Sequence, residues 1–148
     1  MDDKFQGLVQ LLVQEKLLDR EAACDYADKA TKDKVSLIEY LVKHSILSAE
    51  CIAQTLSQNF GVPLMDIDCF DTEAIPRDLI SEKLINRHNM VPLFKKGTNL
   101  YLATDDPSKQ VALKEIQFHT GLVSNAIVVE TSKLTDFIEK LLSANENS

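Results

Sequence analysis

From Phe5 to Phe60 the apolar positions recur at spacings of three and four. Phe5, Leu8, Val9 and Leu12 set one stripe along a helix face. The same pattern runs through Asp19 to Ala30, Val35 to His44 and Ser48 to Phe60, which predicts four short helices. Asp19 and Ser48 each precede a run, where a short oxygen-bearing side chain can cap free backbone amides. No Pro or Gly falls between Leu8 and Phe60.

This stretch repeats itself. Leu8-Val9-Gln10-Leu11-Leu12-Val13 returns as Leu37-Ile38-Glu39-Tyr40-Leu41-Val42, 29 residues on (37 − 8). Leu17-Leu18-Asp19 answers to Ile46-Leu47-Ser48, Glu21 to Glu50 and Ala27 to Leu56. A helix–turn–helix unit is thus used twice. Two copies are too few for a solenoid, so they are expected to pack face to face as a closed bundle.

At Gly61-Val62-Pro63 the pattern changes, because Gly ends a helix readily and Pro cannot continue one. Leu64 to Cys69 reads as extended, and Ile75-Pro76 opens a helix through about His88. Met90 to Phe94 and Leu100 to Thr104 are β-prone, with Lys95-Lys96-Gly97-Thr98-Asn99 as a hairpin loop. Asp106-Pro107 begins a helix reaching Thr120-Gly121, Val123 to Glu130 is a third strand, and Thr131 to Leu142 a last helix. The expected class is α+β: a helical bundle over residues 1–60, then a small α+β subdomain over 61–148 with the order αββαβα and about three strands.

Composition narrows the function. The net charge of −7 disfavours a phosphate backbone as partner, and no run of four basic residues offers itself to an anionic membrane. No apolar stretch approaches bilayer length and the start does not resemble a secretory signal, so the chain is expected in the cytoplasm without direct membrane insertion. Cys24, Cys51 and Cys69 are widely spaced and are expected as small buried or half-buried side chains.

The chain carries few signatures of chemistry. There is no GxxxxGK[ST], no GxGxxG and no GxSxG; Lys96-Gly97-Thr98 is an isolated decoy. His44, His88 and His119 stand alone, except that Glu115 lies one helical turn before His119, the spacing of a surface pair. Asp66, Asp68, Asp71, Asp105 and Asp106 lack the order of a calcium loop, so turn and cap roles are expected. Tyr40, Phe60, Phe70 and Phe94 have apolar neighbours and are expected in the core, with exposed anchors as the alternative; Glu15-Lys16 and Lys29 to Lys34 read as solvated faces, with a complementary partner surface as the alternative. No catalytic residue and no metal site emerges, though a free-standing enzyme with an unrecognised site remains an alternative.

These residues resemble a known arrangement. The two copies beginning at Leu8 and Leu37, Phe60-Gly61-Val62-Pro63-Leu64-Met65-Asp66-Ile67 and Ala74-Ile75-Pro76-Arg77-Asp78-Leu79-Ile80 are similar to the N-terminal region of type IV pilus and type II secretion ATPases. So are Val91 to Gly97, Leu100 to Pro107 and Glu115-Ile116-Gln117-Phe118-His119-Thr120-Gly121. The likeness, of the MshEN or secretion ATPase N-terminal type, covers Phe5 to Leu142. The pilus-extension, PilB-like branch matches best and the type II secretion branch second.

The resemblance implies a non-catalytic regulatory and docking region of a homohexameric motor, whose ATP and Mg site lies outside this sequence. It implies partners such as a PilZ-type adaptor or inner-membrane pilus platform proteins, which would hold the chain at the periphery of the inner membrane. Some members bind cyclic di-GMP through two copies of a motif beginning Arg-Leu-Gly, and direct sensing of that dinucleotide is the alternative function. Here the arginine positions hold Gly7 and Ser36, and the glycines after them Val9 and Ile38. The later glycines are Lys16 and Ser45, and the glutamines Ala30 and Asn59. Arginine supplies a bidentate fork for phosphate and glycine a close backbone approach, so the bundle is expected to persist without its nucleotide site.

Overall fold

The computed structural model describes residues 3–71 and 73–146, without the side chains of residues 3–6, 77 and 144–146; the side chain of Phe5 therefore lies outside the described residues. Four helices come first: α1 (Asp3–Gln14), α2 (Arg20–Lys32), α3 (Leu37–Lys43) and α4 (Ala49–Phe60). Their apolar stripes meet in one cluster containing Leu8, Leu12, Ala27, Leu37, Leu41 and Leu56. The leucine framework shared by the two copies is thus the seam of the bundle. Ser36 and Ser48 cap α3 and α4 by accepting from the backbone N–H of Glu39 (3.1 Å) and Cys51 (3.0 Å). Asp19, at the matching place before α2, makes no side-chain cap.

The remainder follows as α5 (Glu82–His88), β1 (Val91–Lys96), β2 (Asn99–Thr104), α6 (Gln110–Thr120), β3 (Val123–Val128) and α7 (Thr131–Glu146). The order αββαβα expected from Ile75 onward is therefore observed, and the chain is an α+β protein. The sheet order is β1-β2-β3, antiparallel between β1 and β2 and parallel between β2 and β3, with α6 as the crossover. Pro92 sits on the edge strand beside a register irregularity, where a missing N–H breaks no ladder. The hairpin is tighter than its five-residue expectation: strand pairing runs from Val91↔Ala103 to Lys96↔Asn99, leaving Gly97 (φ 62°) and Thr98 as the turn.

Several expected boundaries move. The helix expected from Ile75 to His88 is split. A 3-10 turn at Arg77–Leu79 ends at extended Ile80 (φ −131°), which is buried, and Ser81 then caps α5 through the Leu84 N–H. The extended reading of Leu64 to Cys69 holds only at its start, because Ile67–Cys69 is a 3-10 turn closed by Asp66 on the Asp68 N–H. Asp106 likewise folds a turn onto Ser108, so α6 begins later than expected. At the other end α7 continues past Leu142.

A second apolar cluster lies between the sheet and its helices and includes Met90, Leu100, Leu102, Ile116, Ile127 and Leu134. The two clusters meet at the end of β3. Strand alternation sends Ile127 and Val129 into the sheet-side cluster and Val128 into the helical one. The same Val128 anchors the connecting segment: its N–H donates to Pro63 O (2.8 Å) and its carbonyl accepts from the Met65 N–H (3.0 Å).

Candidate functional site

Three places in the fold have the ingredients of a site. The first is the pair of helix–turn–helix units. Lys16 (φ 61°) and Ser45 (φ 58°) both adopt the left-handed conformation, at the positions where the family motif has glycine. Each closes its helix with the same two bonds. Lys16 N–H donates to Val13 O and Leu17 N–H to Leu12 O; Ser45 N–H donates to Val42 O and Ile46 N–H to Leu41 O. Lys34 (φ 60°) ends α2 in the same way. The repeat is therefore one of backbone geometry as well as of apolar residues.

The other motif positions are divided between surface and core. Gly7 is exposed on α1, and Ser36 is committed to capping α3. Val9 and Ile38 are core residues, 5% and 2% exposed, and Ala30 is fully buried. Asn59 is exposed and its Nδ2 donates to Thr55 O of its own helix at 2.8 Å. Lys16 and Ser45 are both exposed.

The second place is the junction of the two clusters. Asp105, just past β2, is buried; its Oδ2 accepts from Thr131 Oγ1 at 2.6 Å. Its Oδ1 has no hydrogen-bond partner, and Lys109 Nζ stands 3.8 Å away, within ion-pair reach only. Burial raises the Asp105 carboxyl above its ordinary range, against the pull of Lys109 and the Thr131 hydrogen bond. Glu39 on α3 faces the same spot, and its carboxyl is raised by burial and by the negative charge of Asp105.

The third place is the seam of α5 and α6. Glu115 Oε1 accepts from Arg87 (3.2 Å) and Oε2 contacts His88 Nε2 (2.9 Å), while Lys109 Nζ donates to His88 O (3.3 Å). Glu115 thus pairs across helices with Arg87 and His88. His119, the partner expected from one-turn spacing, is passed over because His88 lies in the seam at 15% side-chain exposure. A cleft of about 400 Å³ opens here between Lys83 and Arg87 on one bank and Glu115 and His119 on the other.

Other assignments shift. Tyr40 is buried and Phe70 half-buried, but Phe60 and Phe94 are exposed, and Phe94 stacks on Tyr101 (4.7 Å) at the edge of the sheet. Cys24 and Cys51 are half-buried, whereas Cys69 is exposed because its 3-10 turn lies on the surface. Asp66 and Asp71 act as turn acceptors, and Lys133 ties Asp66 (3.3 Å) and Asp68 (3.7 Å) to α7. The residues that sequence reading missed are Val111 and Phe118, 80% and 87% exposed on α6. Their seven-residue separation, with no apolar partner at the outward positions between them, was the available signal. Among the described residues no helix is long and apolar enough to cross a membrane.

The relatives agree with this architecture. The type IV pilus assembly ATPase PilB of Pseudomonas aeruginosa is 38% identical over 146 residues, covering 97% of this chain and 26% of that protein. PilB of Acinetobacter baylyi is 36% identical, covering 95% of this chain and 24% of that protein. The chain spans about a quarter of the length of these curated relatives. Among solved structures, MshE with cdg superposes with a TM-score of 0.66 at 20% identity, covering 90% of this chain and 97% of that one. The N-terminal domain of XpsE superposes at 0.60 and 20% identity, covering 94% and 97%. The model of the MshEN domain matches residues 60–148. This chain belongs to the MshEN domain family.

Proposed function

We propose that this chain is the non-catalytic regulatory and docking domain of a type IV pilus assembly motor, coupling it to a PilZ-type adaptor or to inner-membrane pilus platform proteins. The observation that carries the docking reading is the outward apolar pair Val111 and Phe118, 80% and 87% exposed on α6. The likeness to PilB along 97% of the chain supports the pilus branch. In this reading ATP hydrolysis with Mg belongs to the motor part of a full-length homohexamer, and the chain works in the cytoplasm at the inner membrane through its partners. Partner binding would act by favouring one orientation of the domain against the motor, which requires different affinity for the two arrangements.

The test is direct binding of the purified chain to a purified PilZ-type adaptor from the same organism and to the cytoplasmic parts of the platform proteins. A stable complex with either is the expected result. Failure of all of them to bind at high micromolar concentration removes the docking reading.

A second reading, direct cyclic di-GMP sensing, draws on the left-handed turns kept at Lys16 and Ser45 and on the fold shared with MshE, whose structure is with cdg. Against it stand the exposed Gly7 and the capping Ser36 where the motif carries arginine. Calorimetry with the dinucleotide is expected to give no heat; saturable heat would favour this reading over docking alone.

A further inference from the structure

Cations on this chain are outnumbered, 16 Lys and Arg against 23 Asp and Glu, yet Lys83 and Arg87 of α5 fall on one side of that helix. Lys83 and Arg87 line the cleft toward α6, whereas Asp78 and Glu82 line a separate cleft on the other side of the helix. Glu115, the one carboxylate in the α6-side cleft, is already engaged by Arg87 and His88. Lys83 and Lys114 are exposed and form no ion pair among the described residues.

Beside this cleft runs the apolar ridge. Helical periodicity places Val111, Lys114 and Phe118 on one outward line of α6, with Glu115 and His119 on the flank that turns down into the cleft. Leu79 and Leu84 form the cleft's apolar wall. An exposed aromatic, a neighbouring recess with an apolar wall and unpaired cations together match the anatomy of an interface core with its charged rim.

We infer that the α5–α6 face, with Phe118 as its anchor, is the surface on which this domain meets its partner, and that the partner presents carboxylates around an apolar pocket. The inference rests on the docking reading and adds the surface and the chemistry of the partner. Charge complementarity selects the partner: an acidic protein surface meets the exposed Lys83 and Lys114, whereas the same face of a second copy would set these lysines against each other.

The test titrates the whole chain with the purified PilZ-type adaptor by fluorescence anisotropy. Phe118→Ser is expected to weaken binding by at least about tenfold, as truncation of an interface anchor does. Lys83→Glu with Lys114→Glu is expected to weaken it by a similar factor at about 50 mM salt and by much less at about 300 mM, where exposed charges are screened. Lys140→Glu, exposed on α7, should bind as the unsubstituted chain does. Because Phe118 and both lysines are exposed, unchanged circular dichroism should accompany each loss.

If the unsubstituted chain binds and the Phe118 and lysine variants bind equally well, the α5–α6 surface is wrong while docking stands. If the unsubstituted chain binds neither the adaptor nor the cytoplasmic parts of the platform proteins, both readings fall. Self-association of the chain, or capture by phosphatidylglycerol vesicles, that Phe118→Ser abolishes would replace the acidic partner by a second copy or a membrane.

Discussion

Thr131 Oγ1 donates a 2.6 Å hydrogen bond to the buried Asp105 Oδ2, joining the first residue of α7 to the end of β2. Glu39 of the helical bundle faces the same carboxylate, so one polar contact sits where three elements meet. The other carboxylate oxygen, Oδ1, has no hydrogen-bond donor. A buried carboxylate with an unsatisfied oxygen favours its neutral form, since ionisation without solvation is costly.

Stability is therefore expected to fall as pH rises. Burial raises the Asp105 carboxyl above its ordinary value, so the folded chain holds a proton that the unfolded chain has already released. The stabilisation is complete below the unfolded aspartate range and is lost as pH climbs through the raised folded value, at about 1.4 kcal/mol per pKa unit. Glu39, raised for the same reason, adds to the slope with the same sign, and Lys109 moderates both. Urea unfolding from about pH 4 to pH 8 should show this decline, and Asp105→Asn should flatten most of it while keeping an acceptor for Thr131. An unchanged slope in the variant would mean that Asp105 is not the group responsible.

Val128 is fully buried in the helical cluster although it belongs to the sheet. Val128→Ala should cost about 1–3 kcal/mol, the usual range for removing core methyl groups. Its signature is where the loss falls: hydrogen exchange should quicken in α1 to α4 as well as in β3. Ile127→Ala, one residue earlier but in the sheet-side cluster, should spare the helices.

Helix starts offer a sharper comparison. Ser48 Oγ accepts from the Cys51 N–H at 3.0 Å, so Ser48→Ala should cost about 1 kcal/mol. Asp19 makes no capping bond, and Asp19→Ala should cost only the interaction of its charge with the helix end, about 0.3–1 kcal/mol and less at high salt. Thermal melts at two salt concentrations separate the two cases.

The periodic part of the fold was legible in the sequence because each copy repeats its apolar spacing, and Leu12 and Leu41 occupy the same place in the seam. The order of elements after Ile75 was legible from Gly and Pro punctuation and β-prone runs. What escaped was local and polar. Asp66, Ser81 and Asp106 use side chains to start new turns, and such bonds compete with the helix or strand that propensity alone would continue. Pairing across helices escaped too: Glu115 turns to His88, 27 residues distant in sequence, rather than to its helical neighbour His119. The exposure of Phe118 escaped because one apolar residue in a helical run does not reveal its face unless the whole helix is weighed. At the motif positions the losses of arginine and glycine were plain in sequence, but the left-handed backbone kept at Lys16 and Ser45 was not.

That retained backbone yields the last prediction. A residue with a Cβ in the left-handed region is disfavoured by about 1–2 kcal/mol, whereas glycine adopts it freely but loses about 0.5–1 kcal/mol more in chain entropy on folding. Lys16→Gly and Ser45→Gly should therefore each stabilise the chain by roughly 0.5–1 kcal/mol, the difference of those opposing terms. Gly7 provides the opposite case. It lies within α1, and a Cβ added there meets nothing within 4 Å, so Gly7→Ala should stabilise by about 0.5–1 kcal/mol through helix propensity alone. Gly61, at φ 64° after α4, should instead lose about 1 kcal/mol on substitution by Ala even though the space around it is open. Urea midpoints for these four variants separate backbone strain from packing, because in none of them does the substituted side chain enter the core. If Lys16→Gly and Ser45→Gly both destabilise, the left-handed closure of the two helix–turn–helix units is wrong, and with it the structural equivalence of the two copies.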